Sequence, residues 1–207
     1  MFQTQAQLLK ELEAEGWLKT PQIIEAFSQI KREDFVLAED KDQAYLNDVL
    51  PLGFGQTISQ PLVVAFMLEL LQPSPGEKIL DVGSGSGWTT ALFSYLVKPK
   101  GKVIALEIIK ELKDFGEKNV KKYNFVKKGI AQFILGDGKL GYAKEAPYDK
   151  ILVSASSPEV PPELFQQLKI EGKMVLPLQE NISLIQKTSQ TDYLKKEYPG
   201  FIFVPLV

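Results

Sequence analysis

Apolar positions along this chain fall into stripes of helical period near the amino end and into short continuous runs further on. Leu8, Leu9 and Leu12 share one face of a helix that ends near Gly16. Thr20-Pro21 reads as an N-cap followed by proline at the first helical position, and Ile23, Ile24, Phe27 and Ile30 form the apolar stripe of a second helix. The two helices together read as a small amphipathic prop or lid. Between Ala38 and Ile58 periodicity is weak, and Gly53-Phe54-Gly55 suggests an open, mobile loop. Ser59 then reads as the N-cap of a helix with Pro61 in its first turn, reaching about Gln72. Its expected buried side is Leu62, Phe66, Met67, Leu70 and Leu71.

After the break at Pro73-Ser74-Pro75-Gly76 the pattern changes. Apolar runs at residues 79–82, 102–107, 131–135, 148–153 and 173–177 read as strands. Helical stripes at 88–97, from 110 to about 123, and from Pro161-Pro162-Glu163 through Leu164, Phe165 and Leu168 lie between them. Residues 182–187 and 201–206 supply the last strands. This alternation specifies an α/β fold with a doubly wound, mainly parallel sheet, whose ligands bind at the carboxyl ends of the strands.

Composition narrows the chemistry. The 207 residues and 44% apolar content suit one α/β domain with a short extension. A net charge of −2 argues against a general nucleic-acid binder. The lysine-rich stretch from Lys110 to Lys128 is interleaved with Glu111, Asp114 and Glu117 and reads as a solvated helix face. No apolar run approaches a membrane span, and residues 1–15 lack the pattern of a signal peptide, so a cytoplasmic protein is expected. There is neither cysteine nor histidine, which excludes disulfides, thiolate nucleophiles, Ser-His-Asp triads and Cys- or His-based metal sites. No metal is expected, and the reaction should need no strong general base.

The candidate site begins at Asp81-Val82-Gly83-Ser84-Gly85-Ser86-Gly87, a glycine-rich turn between a strand and a helix. Glycines there let a ligand approach the backbone, and the helix's first N–H groups favour a small anion. The spacing departs from the dinucleotide fingerprint, because Trp88 fills the place of its last small residue, and no Lys-Ser or Lys-Thr follows as a phosphate cradle requires. A nucleoside with a methionine carboxylate, S-adenosylmethionine, fits better. Asp81 suits its ammonium and sulfonium. Glu107, about 20 residues past the loop at the end of the next strand, suits a ribose diol. Asp137, in Gly136-Asp137-Gly138, is placed to accept a hydrogen bond from the adenine amine, although Asp-Gly is also a common turn pair.

These segments, together with Leu50-Pro51-Leu52-Gly53-x-Gly55-Gln56-Thr57-Ile58-Ser59-Gln60-Pro61, Ala146-Pro147-Tyr148-Asp149, Val160-Pro161-Pro162 and Phe203-Val204-Pro205-Leu206, resemble the protein-L-isoaspartate O-methyltransferases over nearly the whole chain. The resemblance implies one Rossmann-like methyltransferase domain, with residues 1–58 as helical extension and substrate-side loop and 59–207 as core. It implies S-adenosylmethionine as methyl donor, S-adenosylhomocysteine as product, and isoaspartyl peptides and proteins as acceptors, with a monomer expected. Gly83, Ser84, Gly85, Ser86 and Gly87 would line the cofactor, Glu107 the ribose, and Asp137 with Gly138 the adenine. Ser59 matches the family's active-site serine, and Gln56 and Thr57 lie in its substrate-side segment. Leu62, Val64, Lys31, Ile170-Glu171-Gly172-Lys173 and Gln179 depart from the family's usual residues and bear on peptide binding. The rival readings are a methyltransferase for another acceptor and a non-catalytic cofactor-binding module; NAD-dependent oxidoreduction is disfavoured by Trp88.

Overall fold

The computed structural model describes residues 3–206. Helix α1 (Gln5–Ala14) opens on a capping box in which Thr4 and Gln7 satisfy each other's backbone N–H groups. Helix α2 (Pro21–Gln29) has Thr20 at its N-cap position, but the threonine side chain does not cap. Its hydroxyl donates instead to Glu69 at 2.7 Å, and the same carboxylate accepts from the backbone N–H groups of Lys19 and Thr20 at 2.8 Å. Glu69 thus pins the residues that lead into α2 rather than capping the helix itself, whose Ile23 and Ile24 N–H groups donate to the Thr20 carbonyl.

The stretch expected to be an irregular loop carries a short helical turn, Ala38–Gln43, and an antiparallel hairpin of β1 (Leu50–Gly53) and β2 (Gln56–Ile58). Leu50, Leu52 and Ile58 point into the core, while Phe54, at φ 55°, stands exposed at the tip. In helix α3 (Pro61–Leu71) the N-cap is Gln60, so Ser59 lies one residue outside and caps nothing. The predicted buried stripe of α3 is also corrected. Val64, Ala65, Met67, Leu68 and Leu71 are buried, whereas Leu62, Phe66 and Leu70 are half-buried. The helix is apolar on nearly every side, so periodicity could not choose a face. Phe66 packs among aromatics, stacking on Phe201 and meeting Tyr198 edge-on.

The remaining elements are β3 (Lys78–Val82), α4 (Trp88–Val97), β4 (Lys102–Glu107), α5 (Lys110–Lys121), β5 (Ala131–Leu135), β6 (Tyr148–Val153), α6 (Pro162–Gln167), β7 (Leu168–Leu178), β8 (Asn181–Lys187) and β9 (Tyr193–Pro199). They form a seven-stranded sheet in the order β5-β4-β3-β6-β7-β8-β9, parallel from β5 through β7 and antiparallel at β8 and β9. Side chains alternate between two cores. Ile79, Val103 and Ala105 face the side packed by the helices from α1 to α5, whereas Leu80, Val82, Ile104 and Leu106 face the core containing Leu164 of α6.

The expected strand over 201–206 is replaced by an extended segment with one isolated bridge, Ser156 to Pro205. The last strand is β9, whose exposed run Leu194-Lys195-Lys196-Glu197 shows the polarity of a sheet edge rather than a buried strand.

From β3 the chain winds outward through β4 and β5, then returns to the other side of β3 as β6. The order reverses between β3 and β6, and a crevice opens at the carboxyl ends of such a pair.

Candidate active site

The turn after β3 is fixed by hydrogen bonds from both directions. The N–H groups of Gly83 and Ser84 donate to the Leu106 carbonyl at 2.9 and 3.1 Å, and that of Gly87 donates to the Ser84 carbonyl at 2.8 Å. Gly83, Gly85 and Gly87 all adopt positive φ, at 75°, 49° and 84°. Gly87 also allows a close approach, since a Cβ there would lie 2.8 Å from the Gly116 carbonyl oxygen of α5. Beside it the Asn119 amide donates to the Ser86 carbonyl at 3.1 Å. Helix α5 therefore clamps the loop from behind.

Two acids flank the turn. Glu107 is buried, with one carboxylate oxygen accepting from Gly85 N–H at 2.9 Å and the other from Ile108 and Ile109 N–H at 2.9 and 3.0 Å. It ties the glycine loop to the end of β4. Asp81 lies fully buried beneath the loop, where Oδ2 accepts from the Thr89 and Thr90 hydroxyls at 2.8 and 2.6 Å. Its Oδ1 is buried without a partner. Burial pushes the Asp81 carboxyl up to about 6; the two threonine hydroxyls oppose the rise and Glu107 adds to it.

Opposite the loop stands the β1–β2 hairpin and the strand exit leading to α3. The Leu52 side chain comes within 3.6 Å of where a Cβ on Gly85 would sit, so the hairpin roofs the turn. Gln56, Thr57 and Ser59 face the same crevice. Behind Ser59 lies Arg32, buried, whose guanidinium donates to the carbonyls of Ala44 at 2.7 Å, Asp48 at 2.9 Å and Ser59 at 3.1 Å. It also lies 5.3 Å from the ring centre of Trp88. Burial lowers the guanidinium to about 10, with Asp48 opposing, so it stays charged at neutral pH.

The cleft between these elements holds about 850 Å³ of empty space, solvent at its open mouth included. Of the expected residues, Gln56, Thr57, Ser59, Gly83, Ser84, Gly85, Ser86, Glu107 and Gly138 line it. Asp81, Gly87 and Asp137 lie outside its wall. Asp81 sits under the loop, Gly87 packs on α5, and the Asp137 carboxylate accepts from Lys139 N–H at 2.8 Å. Sequence reasoning missed Ile109 at the N-cap of α5 and Leu112 within it, Ser154 and Ala155 after β6, and Val204 to Leu206. The last segment is held across the end of β6 by Ser156 N–H to the Val204 carbonyl at 2.7 Å and Leu206 N–H to the Ser156 carbonyl at 2.8 Å. Among the described residues no cluster of acids, histidines or cysteines could hold a metal ion, and no helix is long and apolar enough to cross a membrane.

Comparison with known proteins identifies a family. Residues 3–207 match the family model for protein-L-isoaspartate(D-aspartate) O-methyltransferase. The protein-L-isoaspartate O-methyltransferase of Methanopyrus kandleri is 43% identical over 204 residues, 97% of this chain and 89% of its own. That of Pyrobaculum islandicum is 40% identical over 202 residues, 96% and 97% of the two chains. A solved Plasmodium falciparum protein described as a putative protein-L-isoaspartate O-methyltransferase in complex with S-adenosyl-L-homocysteine superposes with TM-score 0.87 at 26% identity, covering 99% of each chain. A second solved protein-L-isoaspartate O-methyltransferase gives the same score and identity over 98% of this chain and 65% of that one.

Proposed function

The chain belongs to the protein-L-isoaspartate O-methyltransferase family, and from that premise we propose how its residues carry out the transfer of a methyl group to the free carboxylate of isoaspartyl residues in damaged proteins. The observation that carries the reading is one cleft with two walls of different chemistry. The glycine loop and Glu107 form one wall, and Gln56, Thr57 and Ser59 form the other.

Three of the buried polar atoms left without partners, those in and under the glycine loop and at the start of α4, fit S-adenosylmethionine. Ser84 Oγ and Trp88 Nε1 are unpaired, and both residues line the cleft. They are the donors a methionine carboxylate needs, whereas the unpaired Asp81 Oδ1 is an acceptor suited to an ammonium group. Glu107 has three of its roughly four acceptor positions filled by backbone amides, leaving one on Oε2 for a ribose hydroxyl. Gly136 and Gly138 border the adenine end without side chains, and Asp137 acts there by holding the turn. When bound, the cofactor supplies an electrophilic methyl group on a sulfonium.

The protein's part is orientation. An acceptor carboxylate with a pKa of about 4 arrives ionised at neutral pH, so no group need remove a proton. This accords with a chain lacking histidine. Ser59 orients that carboxylate without becoming covalently attached, its side chain being free of any capping duty. Leu52, Ile58 and Val64 line the wall beside it and exclude water. Alignment of this kind supplies roughly 7–11 kcal/mol of a barrier. The shared packing of Leu8, Phe27 and Ile79 in one core supports reading the extension and sheet as a single domain.

The test is radiolabelled methyl transfer to an isoaspartyl peptide and to its aspartyl isomer. Base-labile label should appear with the first alone. Equal transfer to both would point to another acceptor, and cofactor binding without transfer to either would identify a non-catalytic module.

A further inference from the structure

The acceptor proposed above is an anion, yet no lysine or arginine lines the cleft among the described residues, and Glu107 lies in its wall. Asp81 is buried just beneath. An incoming carboxylate would therefore meet like charge, a repulsion strengthened where water is excluded. The sulfonium of a bound cofactor offsets part of that repulsion, and any cation the protein itself supplies must act from behind the wall.

We propose that Arg32 is both the counter-charge and a positioning residue for the acceptor carboxylate, acting from behind the wall through Ser59 and Trp88. Its guanidinium touches both of these cleft residues, donating to the Ser59 carbonyl at 3.1 Å and facing the Trp88 ring at 5.3 Å. Every hydrogen bond it makes goes to a carbonyl, and among the described residues it has no ion-pair partner. Asp48, the acid acting on it, contributes its backbone carbonyl to the guanidinium, while its exposed carboxylate accepts from Val49 N–H at 2.7 Å. A buried cation without a paired anion is costly unless an anion completes it. Tyr123 holds the arginine's segment in place, donating to Asp34 at 2.7 Å and accepting from Lys31 N–H at 2.9 Å. The planar fork spans three carbonyls from separate segments, a geometry lysine cannot reproduce.

The inference rests on the isoaspartyl reading, and a matched pair of peptides separates the two. One carries isoaspartate and the other isoasparagine, its neutral amide. Affinities are measured with the protein saturated with S-adenosylhomocysteine, alongside the affinity for that nucleoside itself. In Arg32→Met the isoaspartyl peptide should bind at least tenfold more weakly while isoasparaginyl-peptide affinity stays within twofold, and the nucleoside, whose Trp88 donor Arg32 also faces, should lose less than the isoaspartyl peptide does. Equal weakening of both peptides would mean that Arg32 is only a staple, and unchanged affinities would mean that it does nothing for the acceptor; either result overturns the proposal. Should that variant fail to fold, Arg32→Lys carries the test. A buried lysine loses its charge at lower pH than an arginine, so preference for the carboxylate peptide should fall between pH 7 and 10 while the wild type stays flat. A flat profile in Arg32→Lys would also overturn it. Absence of methyl transfer by the wild type sinks the functional reading and this inference together, whereas transfer with unaltered discrimination in the variants sinks the inference alone.

Discussion

Gly87 and Gly116 face each other so closely that neither position has room for a methyl group. A Cβ on Gly87 would stand 2.8 Å from the Gly116 carbonyl oxygen, and one on Gly116 would stand 2.7 Å from the Gly85 carbonyl oxygen and 3.1 Å from the Gly87 nitrogen. Gly116 lies inside α5, where alanine would ordinarily stabilise the helix by about 1 kcal/mol. Here the obstacle is backbone, and relieving it costs about 1–3 kcal/mol. Gly116→Ala should therefore lower the melting temperature and weaken S-adenosylhomocysteine binding about tenfold, read by calorimetry. A more stable variant with unaltered affinity would show that the loop does not depend on this contact.

The Asp81 carboxyl titrates at about 6 in the folded protein, against an ordinary 3.8. The folded state thus holds a proton that the unfolded chain has already released, and stability falls as pH rises from about 4 to 6. The difference corresponds to roughly 3 kcal/mol. Asp81→Asn should flatten that pH dependence in thermal unfolding and be the more stable protein at pH 7. It should also bind S-adenosylhomocysteine at least tenfold more weakly, because Asp81 Oδ1 is the proposed acceptor for the ammonium. Unchanged affinity would remove Asp81 from the cofactor site.

Glu107 serves three backbone amides with its two oxygens. Glutamine offers one oxygen and an amino group that cannot accept, so one side of this arrangement must lose its acceptor. Glu107→Gln should cost about 1–3 kcal/mol in unfolding free energy. Nucleoside affinity should fall with it. Wild-type stability would indicate that the loop holds its shape without the carboxylate.

Ser59 has the opposite expectation. Its hydroxyl caps no helix, so Ser59→Ala should leave stability and S-adenosylhomocysteine affinity intact while lowering kcat about 100-fold. Steady-state kinetics with an isoaspartyl peptide would check this, and a loss of cofactor binding would contradict the assignment.

The doubly wound sheet was legible wherever local and global signals agreed. Strands β3, β4 and β6 carry buried apolar runs, β5 is a short apolar edge strand, and the glycine loop stands where a sharp strand-to-helix turn demands it. The hairpin over the cleft was not legible, because its strands are only a few residues long, are interrupted by Pro51 and Gly53, and gain their stability from Leu50, Leu52 and Ile58 packing elsewhere. Nor was β9, a polar sheet edge. Of the cleft wall, the residues belonging to a sequence-local motif were legible. Those acting from a distance, such as Gly116, Asn119 and Arg32, carry no local signal, since their roles exist only once α5 and the hairpin have packed.

The cleft wall also contains its own reporter. Of the two tryptophans, Trp17 packs edge-on against Phe66, away from the cleft, whereas Trp88 lies in the wall with its indole N–H unpaired and a guanidinium over its ring. Indole emission is sensitive to both kinds of neighbour, so filling the cleft should shift the fluorescence of one chromophore and leave the other as an internal reference. Occupancy can then be followed by light in the unlabelled protein, and a Trp17→Phe variant would isolate the responding signal.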